Sequence, residues 1–283
     1  MQPVIDIHVH MQPWEMLKPP AYETFRRTQE NFDELQELVR DPAKFVALMD
    51  RERIERAGII NYVSPQVMGF TNKVNDWVAG YCRAFPDRLI AFGSADPWQK
   101  KGLAAEMDRL TEKLRLPGLK IHPPHQHVYP NQYRHGLKGL EMIYRKAEEA
   151  GLVVMIHTGT SIFEGARNIY ADPIYVDDVA VDFPRLRIIV AHGGRPLWMA
   201  NAVFLIRRHP NVYMDISSIP PRKLLEYFPA LETLADKVLW GSDWPGPMVP
   251  GMRTNLDRFC QLPLSDAAMR KILYENAAGL FPR

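Results

Sequence analysis

LVVMIHTGT, residues 152–160, and RIIVAHGG, residues 187–194, share one grammar: a short β-branched apolar run, a histidine where the run ends, then a glycine-bearing turn. An apolar run this short, bounded by turn residues, predicts a buried strand, and the longer amphipathic stretch between the two predicts a helix. Working outward, the unit recurs along the chain. Strands are expected at Val4–His8, Ile59–Val63, Leu89–Ser94, Gly118–His122, Leu152–His157, Arg187–His192, Val212–Asp215 and Val238–Ser242. Asp41 followed by Pro42 makes an N-cap and first-turn pair for a helix running through KFVALMDRERIERA to Gly58. Further helices are expected around Asn72–Ala84, Gly102–Leu114, Gly136–Ala150, Pro173–Phe183, Pro196–Arg208, Pro221–Ala235 and Ser265–Leu280. Strict alternation implies parallel strands joined by right-handed crossovers. Eight regular units, with no Gly-rich GxGxxG after the first strand, favour a closed (β/α)8 TIM barrel over an open doubly wound sheet.

One barrel domain over residues 1–283 accommodates this length, since such barrels routinely reach about 250 residues. Residues 11–40 break the rhythm, because they separate the first strand from its helix by far more than an ordinary loop. This insertion, with its charged and helical TFRRTQENFDELQELV, reads as an active-site lid or a contact in a homo-oligomer, or as a solvated helix at the barrel mouth.

Composition narrows the partners. At 46% hydrophobic and 24% charged the chain is not a disordered one. Its 35 basic and 33 acidic residues are interspersed, so no basic stripe suggests nucleic acid. The start lacks a basic segment leading into an apolar one, and no run approaches roughly 18 uninterrupted apolar residues, so neither export nor membrane insertion is expected. Cys82 and Cys260 sit in no metal or disulfide spacing and are expected to be small buried hydrophobes in a reducing cytoplasm.

The chemistry lies where the polar residues fall. His8 and His10, Lys120 with His122, His157, His192 and Asp243 all stand at or just past the C-terminal end of an expected strand, which in a barrel of this kind is the active-site face. Side chains two apart on a strand share a face, so His8 and His10 can chelate one metal. The runs leading to His157 and His192 are too apolar to hold an unpaired imidazole, and a metal or carboxylate partner would satisfy each. His125, His127, His135 and His209 read as loop or surface residues, the first two on the active-site side.

The ordered set VIDIHVH, GLKIHPP, VVMIHTG, IIVAHGG, VLWGSDWP and the closing YENAAGLF resembles the amidohydrolase superfamily, in the branch of aminocarboxymuconate-semialdehyde decarboxylase and related hydrolases, over essentially the whole chain. The resemblance implies that His8, His10, His157 and Asp243 hold one divalent metal and that His192 is the general acid/base. Three imidazoles and a carboxylate suit Zn²⁺, with Mn²⁺ the alternative. Asp243 has a second candidate role in proton transfer beside the metal, and a third reading as a helix N-cap before Pro245. Lys120 departs from that branch. It reads as a grip for a substrate carboxylate, as a carboxylated bridge to a second metal, or as a structural ion-pair partner. Arg195 offers another carboxylate contact; Trp14, Trp198 and Trp244 are candidate pocket walls, and Arg167 and Arg253 weaker candidates in strand-end loops.

The expected function is a metal-dependent hydrolase that attacks a lactone, amide or related carbonyl of a small carboxylated or ring-derived substrate, with His192 and Asp243 handling protons. The alternative is a nonoxidative, metal-dependent decarboxylase of an aromatic or muconate-type acid. A noncatalytic metal-binding barrel is the third reading, because function rests on the site and not on the fold.

Overall fold

Eight parallel strands follow one another around a ring in chain order: β1 (Ile5–Val9), β2 (Arg56–Ile60), β3 (Leu89–Gly93), β4 (Gly118–Ile121), β5 (Val153–His157), β6 (Arg187–Ala191), β7 (Val212–Asp215) and β8 (Val238–Leu239). The structure, a computed structural model, describes residues 3–29 and 31–283; Met1, Gln2 and Glu30, the last within the expected insertion, lie outside the described residues. Between β8 and β1 the ring is drawn together by Ile7 N donating to Trp240 O at 3.2 Å, Asp243 N to His8 O at 2.8 Å and His10 N to Trp244 O at 2.8 Å. The expected TIM barrel is therefore the observed fold.

Its core forms because strand side chains alternate. Leu119, Ile121, Val154, Ile156, Ile188 and Val190 join helix residues such as Leu140, Ile143, Val179 and Leu205 in one buried cluster. The opposite side chains of β1, β4, β5 and β7 meet in the barrel interior, where His8 touches Asp215 and Lys120.

Several boundaries differ from expectation for physical reasons. The helix begun at Asp41, whose side chain accepts from Ala43 N at 2.9 Å, ends at Glu52 and not near Gly58. Arg53 takes a left-handed φ of 63° there, and RAGII pairs with β1 and β3, which starts β2 three residues before its expected position. Arg56 tolerates a strand position because its guanidinium reaches Phe281 O at 2.6 Å at the barrel bottom. β8 stops at Leu239 and not at Ser242, since Ser242 N turns to the Asp6 carboxylate at 2.9 Å. The stretch Pro221–Ala235 splits into a helix over Pro221–Tyr227 and a 3-10 helix over Leu231–Lys237; Pro229 between them has no N–H to continue the ladder.

The insertion is folded. After a 3-10 turn at Trp14–Met16 come α1 (Pro19–Thr28), α2 (Phe32–Arg40) and the regular helix α3 (Pro42–Glu52), so the charged stretch makes two helices and not one. Trp14 stacks on Phe25 of α1 at 5.5 Å and Phe32 of α2 at 4.9 Å, which makes it a packing residue between the two. Gln29 leaves the helix and its side-chain amide donates to Pro245 O and Gly246 O, both at 2.9 Å, fastening the insertion to the loop that follows Asp243. Cys82 is buried as expected, whereas Cys260 is exposed at the C-terminal end of the helix Met252–Phe259 and is no core residue. Among the described residues no helix is long and apolar enough to cross a membrane.

Gly58 marks the tightest strand contact: a Cβ there would lie 2.3 Å from Ile7 O on β1. Gly58→Ala must therefore push apart the two strands that begin the barrel, and a loss of about 1–3 kcal/mol is expected, as for other overpacked cores. Urea unfolding followed by circular dichroism measures it; an unchanged midpoint would mean that β1 and β2 separate without cost.

Candidate metal centre and active site

The first strand sets the floor of the site. His8 is fully buried, with Nδ1 2.5 Å from Asp215 Oδ2 at the end of β7 and 3.1 Å from Ser217 Oγ. A carboxylate on Nδ1 fixes the tautomer that leaves Nε2 with its lone pair, and Nε2 stands 3.5 Å from Asp243 Oδ1. His10 Nε2 is 3.0 Å from the same oxygen. Burial, then the neighbouring Lys120 charge, drives the His8 pKa well below its ordinary value, so the ring is neutral as a metal ligand must be. Burial alone would raise Asp243, but the hydrogen bond from His10 and nearby positive charge, Arg195 included, hold its carboxyl well below the usual range.

These residues pass the test for a divalent cation. One atom each from His8, His10 and Asp243 lies within 4.8 Å of the others, giving two imidazole nitrogens and a carboxylate oxygen. That donor set suits Zn²⁺ or Mn²⁺ and leaves further coordination positions open. His10 Nδ1 is buried with no hydrogen-bond partner, so nothing in the chain commits that ring to another task.

The remaining expected residues surround this trio. His157 is not a member of it: Nδ1 faces His192 Nε2 at 3.1 Å and Nε2 faces Gly159 O at 3.2 Å. His192 is held on its other side by Ser217 Oγ, 2.9 Å from Nδ1, and its ring lies 4.7 Å from that of His8. Lys120 is wholly buried, with Nζ 3.3 Å from His8 Nε2 and 3.4 Å from Met155 Sδ, and it lies outside the cavity wall; burial lowers its pKa. Arg195 does line the cavity. Its Nε donates to Ser218 O at 3.1 Å and one terminal nitrogen to Thr160 O at 3.0 Å, while the other lies 3.9 Å from Asp243 Oδ2.

Backbone conformation aims two of these groups. His192 and Asp243 both follow short strands and both adopt left-handed φ, 64° and 67°, a costly state for residues with a Cβ that is met at functional sites. Gly193 next to His192 continues the turn at φ 53°, where a Cβ would meet the Phe228 ring at 2.6 Å. The N-cap reading of Asp243 is corrected: the next helix begins at Met252, nine residues on.

Above the floor opens a cavity of about 1030 Å³. His10, Tyr62, His122, His157, His192, Arg195 and Asp243 form its base. Its walls are mostly apolar, with Phe25 from the insertion, Ile162 and Phe163 after β5, Ile219 after β7, and Met248 and Val249 after β8, while Arg222, Asn255, Arg258 and Gln261 line it as well. Phe25 and Phe163 meet across it at 5.4 Å. Trp14, Trp198, Trp244, Arg167 and Arg253 do not line it; Trp244 packs on Phe45, and Arg253 pairs with Asp257 at 2.8 Å.

Three parts of the site escaped the sequence reading. Asp215 ends β7 just as His157 ends β5, so the strand-end rule alone would have found it. Asp6, fully buried, receives the backbone N–H groups of His8 and Ser242 at 3.2 and 2.9 Å; burial pushes its carboxyl up to about 7 against those hydrogen bonds. Its alternation with His8 and His10 in IDIHVH was the available signal. His125 is corrected from a surface residue to a buried one, bonded to Tyr62 Oη at 3.1 Å and Ser161 Oγ at 2.7 Å. His209 is buried too, paired with Asp177 at 2.7 Å far from the floor, while His135 is exposed.

The family model for amidohydrolases matches residues 5–283. Among solved structures, an uncharacterized TIM-barrel protein from Bordetella bronchiseptica superposes with TM-score 0.76 at 22% identity, covering 98% of this chain and 97% of that one. A 2,6-dihydroxybenzoate decarboxylase from Rhizobium gives TM-score 0.70 at 19% identity over 99% of both chains. A dihydroxybenzoic acid decarboxylase from Polaromonas, solved with bound manganese and the inhibitor 2-nitroresorcinol, gives TM-score 0.72 at 18% identity over 99% of this chain and 97% of that one. At these identities the superpositions speak for the fold, and the family match speaks for descent: this chain belongs to the amidohydrolase family.

Proposed function

We propose that the protein is a metal-dependent, nonoxidative decarboxylase of a small aromatic acid. The observation that carries this reading is the cavity, whose metal-competent floor, with the Arg195 guanidinium beside it, lies under mostly apolar and aromatic walls. A flat ring with an anionic substituent matches that division, and the fold relatives that act on dihydroxybenzoates share the chain's full extent. These features favour decarboxylation over the hydrolysis expected first from the sequence.

A divalent cation held by His8, His10 and Asp243 supplies, when bound, concentrated positive charge and Lewis acidity at the floor. The chain's own groups do the rest. Arg195, fixed by the Ser218 and Thr160 carbonyls, keeps guanidinium donors free for the substrate carboxylate. Phe25, Phe163 and Ile219 hold the ring and exclude water. Breaking the ring–carboxylate bond releases CO₂ and leaves the bonding electron pair on the ring carbon, which takes up one proton, so that arene carboxylate plus H⁺ gives arene plus CO₂. His192 carries that proton. Burial and then Arg195 push its pKa well below the ordinary value, so it is neutral at rest and relays a proton drawn from solvent without holding one against the arginine. Lys120 stands below the trio and reaches the substrate only through it.

Incubating manganese- and zinc-loaded protein with hydroxybenzoates and with small lactones, while following CO₂ and acid release in parallel, tests the reaction. CO₂ with the matching phenol is expected; acid release from a lactone without CO₂ from any benzoate would overturn the reading. In that assay Arg195→Met should raise KM by tenfold or more, the scale of about 1.5–3 kcal/mol for a charged hydrogen bond, and an unchanged KM would remove Arg195 from the carboxylate.

Metal content isolates the floor from the reaction. His8→Ala with His10→Ala should abolish stoichiometric metal by elemental analysis. Asp215→Asn should leave the fold intact and weaken metal affinity by about 10- to 100-fold, as loss of a ligand-orienting carboxylate does. Equal metal retention by parent and Asp215→Asn during dialysis against a graded chelator would show that Asp215 does not orient His8.

A further inference from the structure

His122 follows β4 at the base of the cavity, two residues after Lys120, and belongs neither to the metal trio nor to the proton path. It is the middle ring of a stack. His125 lies on one face with centroids 3.6 Å apart and 17° between planes, and His157 on the other at 3.9 Å and 16°. The outer rings have both nitrogens occupied: His125 by Tyr62 Oη and Ser161 Oγ, His157 by His192 Nε2 and Gly159 O. The central ring has neither. His122 Nδ1 is buried without a partner, and among the described residues no hydrogen bond is made by Nε2. The residue is only 4% exposed, and of its two ring nitrogens Nδ1 is the one sealed from solvent. An imidazole fixed by stacking on both faces, with its hydrogen-bonding capacity unused at a cavity wall, is costly unless something entering the cavity completes it.

The order of the strands says which part of a ligand that is. Arg195 follows β6 and His122 follows β4, with His157 of β5 between them. A ring whose carboxylate meets Arg195 therefore turns another edge toward His122. We propose that His122 is a specificity-determining residue that hydrogen-bonds a second polar substituent of the aromatic acid, a ring hydroxyl set away from the carboxylate. The inference rests on the reading of the cavity as an aromatic-acid site, but it concerns binding and not the fate of the carboxylate.

Direct binding tests it. Metal-loaded parent, His122→Leu and His122→Asn proteins are titrated calorimetrically with benzoate and with 2-, 3- and 4-hydroxybenzoate, with metal content measured in each sample. In the parent at least one hydroxybenzoate should bind about tenfold more tightly than benzoate, which corresponds to one good hydrogen bond in a desolvated site. That advantage should shrink to within about threefold in His122→Leu and survive in His122→Asn, with benzoate affinity and metal content unchanged. An advantage that persists in His122→Leu, as metal contact with the hydroxyl would produce, overturns the proposal, as does the absence of any hydroxyl preference in the parent. If His122→Leu fails to fold, the parent labelled with ¹⁵N-histidine decides: the hydroxybenzoate but not benzoate should shift a His122 ring nitrogen, and equal shifts overturn the proposal. Hydroxyl-selective binding through His122 without CO₂ release would leave this inference standing and remove the decarboxylase reading; no binding of any of the four acids removes both.

Discussion

The hydrogen bond from Asp243 N to His8 O, 2.8 Å long, joins the two ends of the barrel and the two ends of the candidate metal centre at once. β8 contributes only Val238 and Leu239 to the sheet, so the ring is completed by single contacts along the chain from Trp240 to Trp244 and not by a full ladder. Because the closing contacts run through His8, His10 and Asp243 themselves, chain segments more than 230 residues apart bring their candidate ligand atoms within 4.8 Å. The left-handed backbone of Asp243 is tolerated because the hydrogen bonds on either side of it, from Ser242 N to Asp6 and from His10 N to Trp244 O, over-determine the turn.

Below that closure the barrel holds an unusual load of charge for a core. Asp6, Asp215 and Lys120 are all fully buried. Groups of this kind cost several kcal/mol each when isolated, and here each has at least one polar partner, although Asp6 Oδ2 is buried without one. Asp6 receives two backbone N–H groups, Asp215 takes Ser217 N–H and His8, and Lys120 lies against His8 Nε2. Their common neighbour is His8. Asp6 meets its backbone N–H, and its ring couples the other two to the cavity floor, with Nδ1 toward Asp215 and Nε2 between Lys120 and Asp243.

Much of this was legible in the sequence because strand ends in a parallel barrel are a one-dimensional signal. The period-two spacing of His8 and His10 and the polar residues closing apolar runs at His157, His192 and Asp243 locate the floor without any knowledge of packing. What escaped was set by contacts distant in sequence. Nothing local shows that Arg53 would turn left-handed and release RAGII to a strand, since parallel pairing with β1 and β3 decides that. Nothing local shows that His125 is buried, because its partners Tyr62 and Ser161 come from the ends of other strands. Cys260 is the opposite case: an apolar-type residue exposed simply because its helix ends there. Asp215 was missed for no such reason, since it satisfies the same strand-end rule as the residues that were found.

The cavity divides labour by element type, and that division bears on how the reaction and its specificity are linked. The floor comes from strand ends and the residues just after them, locked by the closure and by buried carboxylates, so its geometry follows from the fold. The walls come from the insertion and from the longer loops after β5, β7 and β8, which carry Phe25, Phe163, Ile219 and Met248. Gln29 is the point where the two systems meet. By donating to Pro245 O and Gly246 O it ties the insertion to the segment two and three residues past Asp243. A wall that moved with the insertion would pull on the chain leading from Asp243, whereas the wall after β5 is fastened instead to the β4 loop through His125 and Ser161. Changes on the Phe163 side therefore reach the floor through the His125, His122 and His157 rings, while changes on the Phe25 side act on recognition and on the Asp243 turn together.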